Sequence, residues 1–252
     1  MAKEGLIRSP PELRAMLRRA GLESSDLPQV VRDALDGKSD YVVEYRHSEA
    51  EEPALDGYTK DLGVDEAIVR AAETMKLDRL YGFQADAASR ILRGEDVVIV
   101  APTGSGKTEA FAIPVVEAVR RPTVKLGPFR PAETGIRALF IYPTKALARD
   151  QLPRLRRFAE PVGAAVKVFD GDTSPRERRE FLTSPPQIAV TNFDILHHHM
   201  MHRTPFSKLL NEVRHVVVDD VHVYTGTFGA NVSFILKRLT RLCNDQQPQG
   251  FL

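Results

Sequence analysis

The stretch that decides the fold is Ala-Pro-Thr-Gly-Ser-Gly-Lys-Thr, at residues 101–108. It follows the aliphatic run 96–100 and precedes an apolar segment with helical spacing, the order that a phosphate-binding loop requires. Glycines let successive backbone N–H groups turn toward one point at the positive end of the following helix. We therefore predict a P-loop, in which Lys107 reaches the β- and γ-phosphates of a nucleotide and the Thr108 hydroxyl binds Mg²⁺.

A second acidic site for the metal is predicted downstream. Three valines lead directly into Asp219 and Asp220. A carboxylate at the end of a strand beside a P-loop holds Mg²⁺, and a second one orients or deprotonates the attacking water. We assign the first role to Asp219 and the second to Asp220.

Short, nearly continuous aliphatic runs alternate with helical segments from residue 65 onward. Such runs are typical of strands buried on both faces of a parallel sheet. The pattern predicts an α/β, mostly parallel, doubly wound sheet at residues 63–252, preceded by a small mainly helical extension and linker at residues 1–62. A polar linker is expected at 48–63 and a long loop at 121–135. The predicted strands are 96–100, 137–142, 165–169, 187–191 and 215–219, and the predicted helices are 65–77, 84–93, 107–120, 145–159, 176–182 and 193–201.

Composition excludes several classes of protein. The formal net charge is +1, which excludes a histone-like polycation but not a local basic groove. No apolar run approaches the ~20 residues that cross a bilayer, and the first residues lack a signal-peptide core. The single cysteine, Cys243, excludes an internal disulfide and a multi-cysteine zinc site. We expect a cytoplasmic protein with no membrane partner.

The ordered motifs resemble those of superfamily-2 helicases of the DEAD/DEAH-box type. The continuation at residues 224–232 is similar to the large-helicase-related and MrfA-like DNA repair helicases. The resemblance implies a RecA-like domain that binds ATP and Mg²⁺ and acts as an ATP-dependent helicase, with DNA favoured over RNA. The matching segments are 83–84 (Q motif), 101–108 (motif I), 142–151 (motif Ia), 170–173 (a backbone-contacting turn), 190–196 (motif Ib) and 219–222 (motif II).

The resemblance also assigns residues to roles. His222 would couple the ATP site to the rest of the motor, and Lys107, Asp219 and Asp220 would be catalytic, with Thr108 and Asp219 holding Mg²⁺. The ATP-binding set is Gln84, Thr103, Gly104, Ser105, Gly106, Lys107 and Thr108. The nucleic-acid-binding set is Pro143, Thr144, Lys145, Gly171, Thr191 and Asn192, for the last two of which helix capping is the alternative.

Two departures from the family pattern affect the expected activity. Motif II normally ends its acidic pair in Glu, and Asp220 is one methylene shorter, so hydrolysis is expected to be weakened. The Ser-Ala-Thr motif and the second RecA-like domain, the expected partner in the full-length protein, are not in the 252 residues. The isolated chain is therefore expected to bind ATP weakly and to unwind nothing.

Other interpretations of the same residues are open at this stage. The motor of a restriction or CRISPR-type nuclease would share these motifs, and so would a nucleotide-gated nucleic-acid-binding module with weak hydrolysis. A nucleoside kinase has a P-loop but no use for Gln84 or for segment 142–151. The histidines at 197–199 and 202 are expected on an ordinary helix rather than at a metal, and Arg176, Arg178 and Arg179 on a solvated helix face.

Overall fold

The structure is a computed structural model that describes residues 55–102, 104–120 and 135–243, and the backbone of 249–251. The predicted N-terminal helices and the loop at 121–134 lie outside the described residues. The strands are β1 (Leu55–Tyr58), β2 (Arg79–Tyr81), β3 (Ala138–Ile141), β4 (Val166–Val168), β5 (Ile188–Thr191), β6 (His215–Val218) and β7 (Gln249–Phe251). The helices are α1 (Glu66–Thr74), α2 (Gly82–Leu92), α3 (Lys107–Val119), α4 (Lys145–Ala159), α5 (Pro175–Thr183), α6 (Phe193–Met201), α7 (Pro205–Leu209) and α8 (Gly226–Leu242).

The main sheet has the strand order β4-β5-β3-β6-β7, and every pairing in it is parallel. The central strand β3 pairs along its whole length, with Ile141 opposite Thr191 on one side and Val218 on the other. The carboxyl ends of β3, β5 and β6 therefore meet at one edge. This is the edge at which an open α/β sheet presents ligand sites.

Alternate residues of β3 face two separate cores. Ala138, Phe140 and Tyr142 join the core under α2, α3 and α4, and Leu139 and Ile141 join the core under α6 and α8. All five are fully buried. A strand with apolar side chains on both faces has a near-continuous hydrophobic sequence, and that pattern allowed these strands to be predicted.

The prediction of a strand at residues 96–100 is wrong. Only Val97 forms a single bridge, and the side chains of Val98 and Val100 are 67% and 91% exposed. The physical reason lies in the neighbours: β6 is already paired with β3 on one side and β7 on the other, so it has no free edge for residues 96–100. The P-loop consequently follows an extended segment rather than a paired strand.

The linker prediction also needs correction where it falls on described residues. Leu55–Tyr58 forms β1, which pairs antiparallel with β2, and Thr59–Leu62 forms a short 3-10 turn. The Thr59 hydroxyl donates to the Leu77 carbonyl at 2.8 Å. Residues 55–62 thus pack beside α1 and α2 instead of spanning a gap. Among the described helices, none is long and apolar enough to cross a membrane.

His199 on α6 gives the fold a testable pH dependence. Burial, followed by the charges of His198, Arg178 and His202, lowers the pKa of His199 from 6.5 to about 4. Its ring lies against Phe169 and Phe206, and its Nδ1 is 2.7 Å from the Thr204 hydroxyl. The folded state therefore favours the neutral imidazole.

We expect the stability of the fold to fall as the pH drops from 6.5 to 4. In that window the unfolded chain binds a proton at His199 and the folded chain does not, whereas above pH 6.5 neither state does. Urea midpoints measured across the window should fall for the parent and stay flatter for His199→Gln. His197→Gln, at an exposed neighbour that does not contribute to the lowered pKa of His199, is the matched control and should keep the parent's slope. Parallel profiles for parent and His199→Gln would contradict the assignment.

Candidate nucleotide and nucleic-acid site

The P-loop is shaped by two glycines in the left-handed region. Gly104 has φ 78° and Gly106 has φ 84°, and α3 begins at the next residue, Lys107. A side chain is strained in this conformation, so glycine is required for the turn. The backbone N–H groups of the first turn of α3 therefore lie at the loop. Thr103 lies outside the described residues.

Lys107 reaches back over its own loop. Its Nζ donates to the main-chain carbonyl oxygens of Ala101 at 2.8 Å and Pro102 at 3.0 Å. The Ser105 hydroxyl is buried and has no hydrogen-bond partner among the described residues. The loop therefore holds one ammonium donor and one unused hydroxyl within a single turn of backbone.

The acidic pair lies immediately after β6. The Asp220 N–H donates to Asp219 Oδ1 at 2.9 Å, and Asp220 has a left-handed backbone (φ 52°, ψ 45°). Burial is the main cause that raises the pKa of Asp219, and the charge of Asp220 adds to it. The Asp220 N–H, Lys107 and His222 partly oppose this rise. His222 is exposed, and its Nδ1 is 4.0 Å from Asp220 Oδ1.

A cleft of about 500 Å³ joins the P-loop to the acidic pair. Lys107, Asp219 and Asp220 all line this cleft. The remaining lining is mostly apolar. It comprises residues 98–102 with Phe111, and residues 217–218 with 221–222. The residues predicted from two distant motifs therefore meet in one cavity.

Gln84 has a structural position between the Q-motif helix and the P-loop. It is 3% exposed, its Oε1 accepts from the Tyr81 N–H at 2.9 Å, and its Nε2 donates to the Gly106 carbonyl at 2.7 Å. A Cβ at Gly106 would lie 2.5 Å from this Nε2. Gln84 thus caps α2 and fixes the loop in place, a role that its spacing from the P-loop did not predict.

Helix α4 contacts the P-loop helix directly. The Thr108 hydroxyl lies 3.4 Å from Gln151 Oε1, and Arg154 forms an ion pair with the fully buried Glu109. Burial lowers the pKa of Arg154. The sequence pattern did not reveal this pair, because residues 45 positions apart in the chain become neighbours only when the two helices pack.

The predicted nucleic-acid residues cluster at the carboxyl edge of the sheet. Thr144 caps α4 by accepting from the Leu147 N–H at 3.2 Å, and Lys145 is exposed. Thr191 is buried and donates to the Phe169 carbonyl, while Asn192 is 5% exposed and caps α6 through Ile195. The side chains of Thr191 and Asn192 are therefore engaged in the fold, and those of Thr144 and Lys145 face solvent after Pro143.

The turn at 170–173 is held by two arginines. Arg149 makes two hydrogen bonds to the buried Asp170, at 2.8 and 3.0 Å. Burial would raise the pKa of Asp170, but the Arg149 hydrogen bond and the Asp172 N–H outweigh it and the pKa is lowered. Arg178 donates to the carbonyls of Asp170 and Thr173 at 3.1 and 2.9 Å. Its prediction as part of a solvated face is therefore wrong.

Lys145 crosses this turn. Its Nζ pairs with Asp172 Oδ1 at 2.7 Å, and a Cβ at Gly171 would lie 2.9 Å from the same Nζ. Both side chains of the pair are about half exposed. The turn and the start of α4 therefore present one continuous surface.

Comparison with known families agrees with this arrangement. Residues 81–251, more than half of the chain, match the DEAD/DEAH box helicase family. The chain belongs to this family. Among DEAD/DEAH box relatives, the uncharacterized ATP-dependent helicase YprA of Bacillus subtilis (strain 168) is 36% identical over 183 residues, which cover 71% of this chain and 23% of YprA.

Solved structures of similar helicases confirm the predicted RecA-like α/β fold and the MrfA-like subgroup. The DUF1998 helicase MrfA bound to DNA and AMPPNP gives a TM-score of 0.62 at 34% identity, covering 75% of this chain and 26% of MrfA. The Mycobacterium smegmatis helicase Lhr bound to ssDNA and AMP-PNP gives 0.65 at 29%, covering 77% of this chain and 25% of Lhr. This DEAD/DEAH box chain spans about a quarter of the length of these relatives.

Among its described residues, this DEAD/DEAH box domain has no group of three or more His, Cys, Asp or Glu side chains that could hold a metal ion. The exposed rings of His198 and His202 lie with centroids 4.6 Å apart and tilted by 53°, at the end of α6. The expectation of an ordinary helix at these histidines stays a prediction.

Proposed function

We propose that this chain is the ATP-binding first motor domain of an ATP-dependent superfamily-2 DNA helicase or translocase. The observation that carries the proposal is the single cleft that Lys107 lines together with Asp219 and Asp220. A phosphate-binding ammonium and two carboxylates in one cleft are the groups that nucleotide hydrolysis requires.

The residues of the cleft fit a nucleotide with Mg²⁺. The buried, unpartnered Ser105 hydroxyl and the N–H groups at the start of α3 are donors suited to phosphate oxygens. The Thr108 hydroxyl and the Asp219 carboxylate are hard oxygen ligands of the kind Mg²⁺ prefers. When bound, Mg²⁺ supplies positive charge beside the phosphates.

Each residue of the cleft has a proposed role in this chemistry. Lys107 would bind the β- and γ-phosphates in place of the carbonyls it now contacts. Asp220 would orient the attacking water, and His222 would couple the ATP site to the rest of the motor. The remaining nucleotide contacts are assigned to Gln84, Thr103, Gly104, Ser105 and Gly106.

The carboxyl edge of the sheet is proposed to bind the nucleic-acid backbone. Lys145 and Thr144 supply side-chain contacts to phosphate, and Gly171 allows close approach of the backbone. Thr191 and Asn192 would contribute main-chain groups, because their side chains are already engaged. DNA is favoured over RNA, because the structures of MrfA and Lhr described above contain DNA.

The complete motor is proposed to need a second RecA-like domain. In this family ATP lies between two such domains, so the present chain would supply one wall of the site. The motor domain would take up residues 63–252 and residues 1–62 would form an extension, although residues 55–58 of that extension pair with β2.

A hydrolysis assay tests the proposal. The complete protein carrying this chain should hydrolyse ATP about 10-fold faster with single-stranded DNA than without it, and less so with RNA of equal length. It should also separate or translocate along a duplex in an ATP-dependent manner. Equal rates with and without either nucleic acid would rule out a motor function.

Lys145→Ala distinguishes the nucleic-acid surface from the ATP cleft. The loss of one phosphate contact should weaken single-stranded DNA binding for all sequences alike and reduce the slope of log affinity against log salt by about 1. Lys237→Ala on α8 is the control and should leave both quantities at the parent's values. An unchanged salt slope in Lys145→Ala would remove Lys145 from the surface.

A further inference from the structure

Two tyrosine hydroxyls lie buried beside the acidic pair. Tyr142 is fully buried, and Tyr224 is half-buried with its hydroxyl out of solvent. Neither hydroxyl has a hydrogen-bond partner among the residues that the structure describes. Buried hydroxyls are nearly always hydrogen-bonded, so each unpartnered one needs a physical explanation.

The backbone places Tyr142 next to Asp219. The Asp219 N–H donates to the Ile141 carbonyl at 3.0 Å, so Tyr142 and Asp219 are the first residues beyond neighbouring parallel strands. On its other side, the Tyr142 N–H donates to the Thr191 carbonyl at 3.0 Å. Tyr142 therefore lies between the end of β5 and the acidic pair.

Tyr224 lies on the opposite face of the sheet, directly after the turn in which the Val223 N–H donates to the Asp220 carbonyl at 3.0 Å. Its ring packs with the core under α6 and α8, whereas Tyr142 packs with the core under α3. The ring meets that of Phe193, the first residue of α6, edge to face with centroids 5.0 Å apart. Phe193 directly follows Asn192 in motif Ib. The Tyr224 ring therefore connects the segment just after motif II to motif Ib.

The charge pattern links both phenols to the acids. Burial, and after it the negative charges of Asp219 and Asp220, raise the pKa of Tyr142 and of Tyr224. Both phenols therefore keep their protons at any physiological pH. A protonated phenol beside a carboxylate is a hydrogen-bond donor toward it, directly or through water.

We propose that Tyr142 and Tyr224 are positioning residues that couple nucleic-acid binding to ATP hydrolysis. Tyr142 precedes Pro143, Thr144 and Lys145, and Tyr224 packs on the residue after Asn192, so each joins one nucleic-acid-facing segment to the acids. Their hydroxyls orient the carboxylates of Asp219 and Asp220 when those segments are occupied. The inference rests on the proposed motor function.

Removal of each hydroxyl tests the coupling. In the complete protein, Tyr142→Phe and Tyr224→Phe should each lower the ratio of DNA-stimulated to basal ATP hydrolysis about 10-fold. Nucleotide affinity should change less than about twofold, because neither phenol is among the residues that line the cleft with Lys107. The melting temperature should stay level or rise, because a phenylalanine of the same shape buries no unpartnered hydroxyl.

The control is Tyr58→Phe on β1, whose half-exposed ring lies near Lys60 and Arg79, away from the sheet edge. It should keep the parent's ratio. An unchanged ratio in both test variants, with hydrolysis still abolished by Lys107→Ala, would overturn the coupling and leave the motor function standing. A fall of basal and stimulated rates by one common factor would also overturn it. A parent that hydrolyses no ATP with DNA present would overturn both.

Discussion

Lys107→Ala is expected to lower ATP hydrolysis by the complete protein about 1,000-fold, the largest effect of any single change in the cleft. Lys107 lines the same cleft as the acidic pair, and its Nζ lies within hydrogen-bonding distance of two loop carbonyls. Alanine leaves the developing charge on the transferred phosphoryl group without its nearest cation. Initial rates at saturating ATP and DNA measure the loss.

The stability of the Lys107→Ala variant should stay close to that of the parent, because the side chain is only partly buried and its Nζ bonds carbonyls of the loop. Lys208→Ala, on an exposed position of α7, is the charge-matched control and should hydrolyse ATP at the parent's rate. Hydrolysis by Lys107→Ala within tenfold of the parent would mean that the loop does not bind the reacting phosphates.

Asp220→Glu is expected to raise turnover up to about 100-fold, because the longer side chain moves the carboxylate about 1 Å toward the attacking water. The backbone opposes this gain. Asp220 has φ 52°, a region in which a short Asp is accommodated better than Glu, at a cost to the folded state of about 1 kcal/mol. Turnover should therefore rise while the melting temperature falls slightly.

Asp220→Asn distinguishes the effect of side-chain length on turnover from the effect of the carboxylate charge. It keeps the side-chain length and the left-handed backbone but removes the base, so hydrolysis should fall below the parent while nucleotide binding is retained. Turnover at saturating nucleotide and DNA, compared across the three proteins, decides the matter. Equal rates for the parent and Asp220→Glu would show that the shorter acid is already well placed.

The sheet and most helices could be predicted because their signals are local. The aliphatic runs at 137–142 and 187–191 became β3 and β5, and the helical segment predicted at 176–182 became α5. A side-chain pattern of this kind indicates whether the segment itself is buried. It can be recognised without knowing which distant segments of the chain pack against it.

The failures share a dependence on partners distant in sequence. Residues 96–100 have the composition of a strand, yet they could pair with β6 only if one of its edges were free, and β7 is paired along that edge. The short pair β1 and β2 lacks an apolar run, since Tyr58 and Arg79 are exposed. Charged residues gave the same difficulty, because Arg178 was predicted to be solvated and instead donates to carbonyls of a turn that its own helix covers.

The Arg154–Glu109 pair has a consequence for motion. A buried carboxylate deprived of its guanidinium partner is unfavourable by several kcal/mol, so α3 and α4 cannot slide apart without that penalty. The P-loop at the start of α3 and helix α4 are therefore expected to move together as one rigid body. In the motor proposed above, the conformational change is accordingly expected as a rotation of this body against another domain, rather than as bending within it.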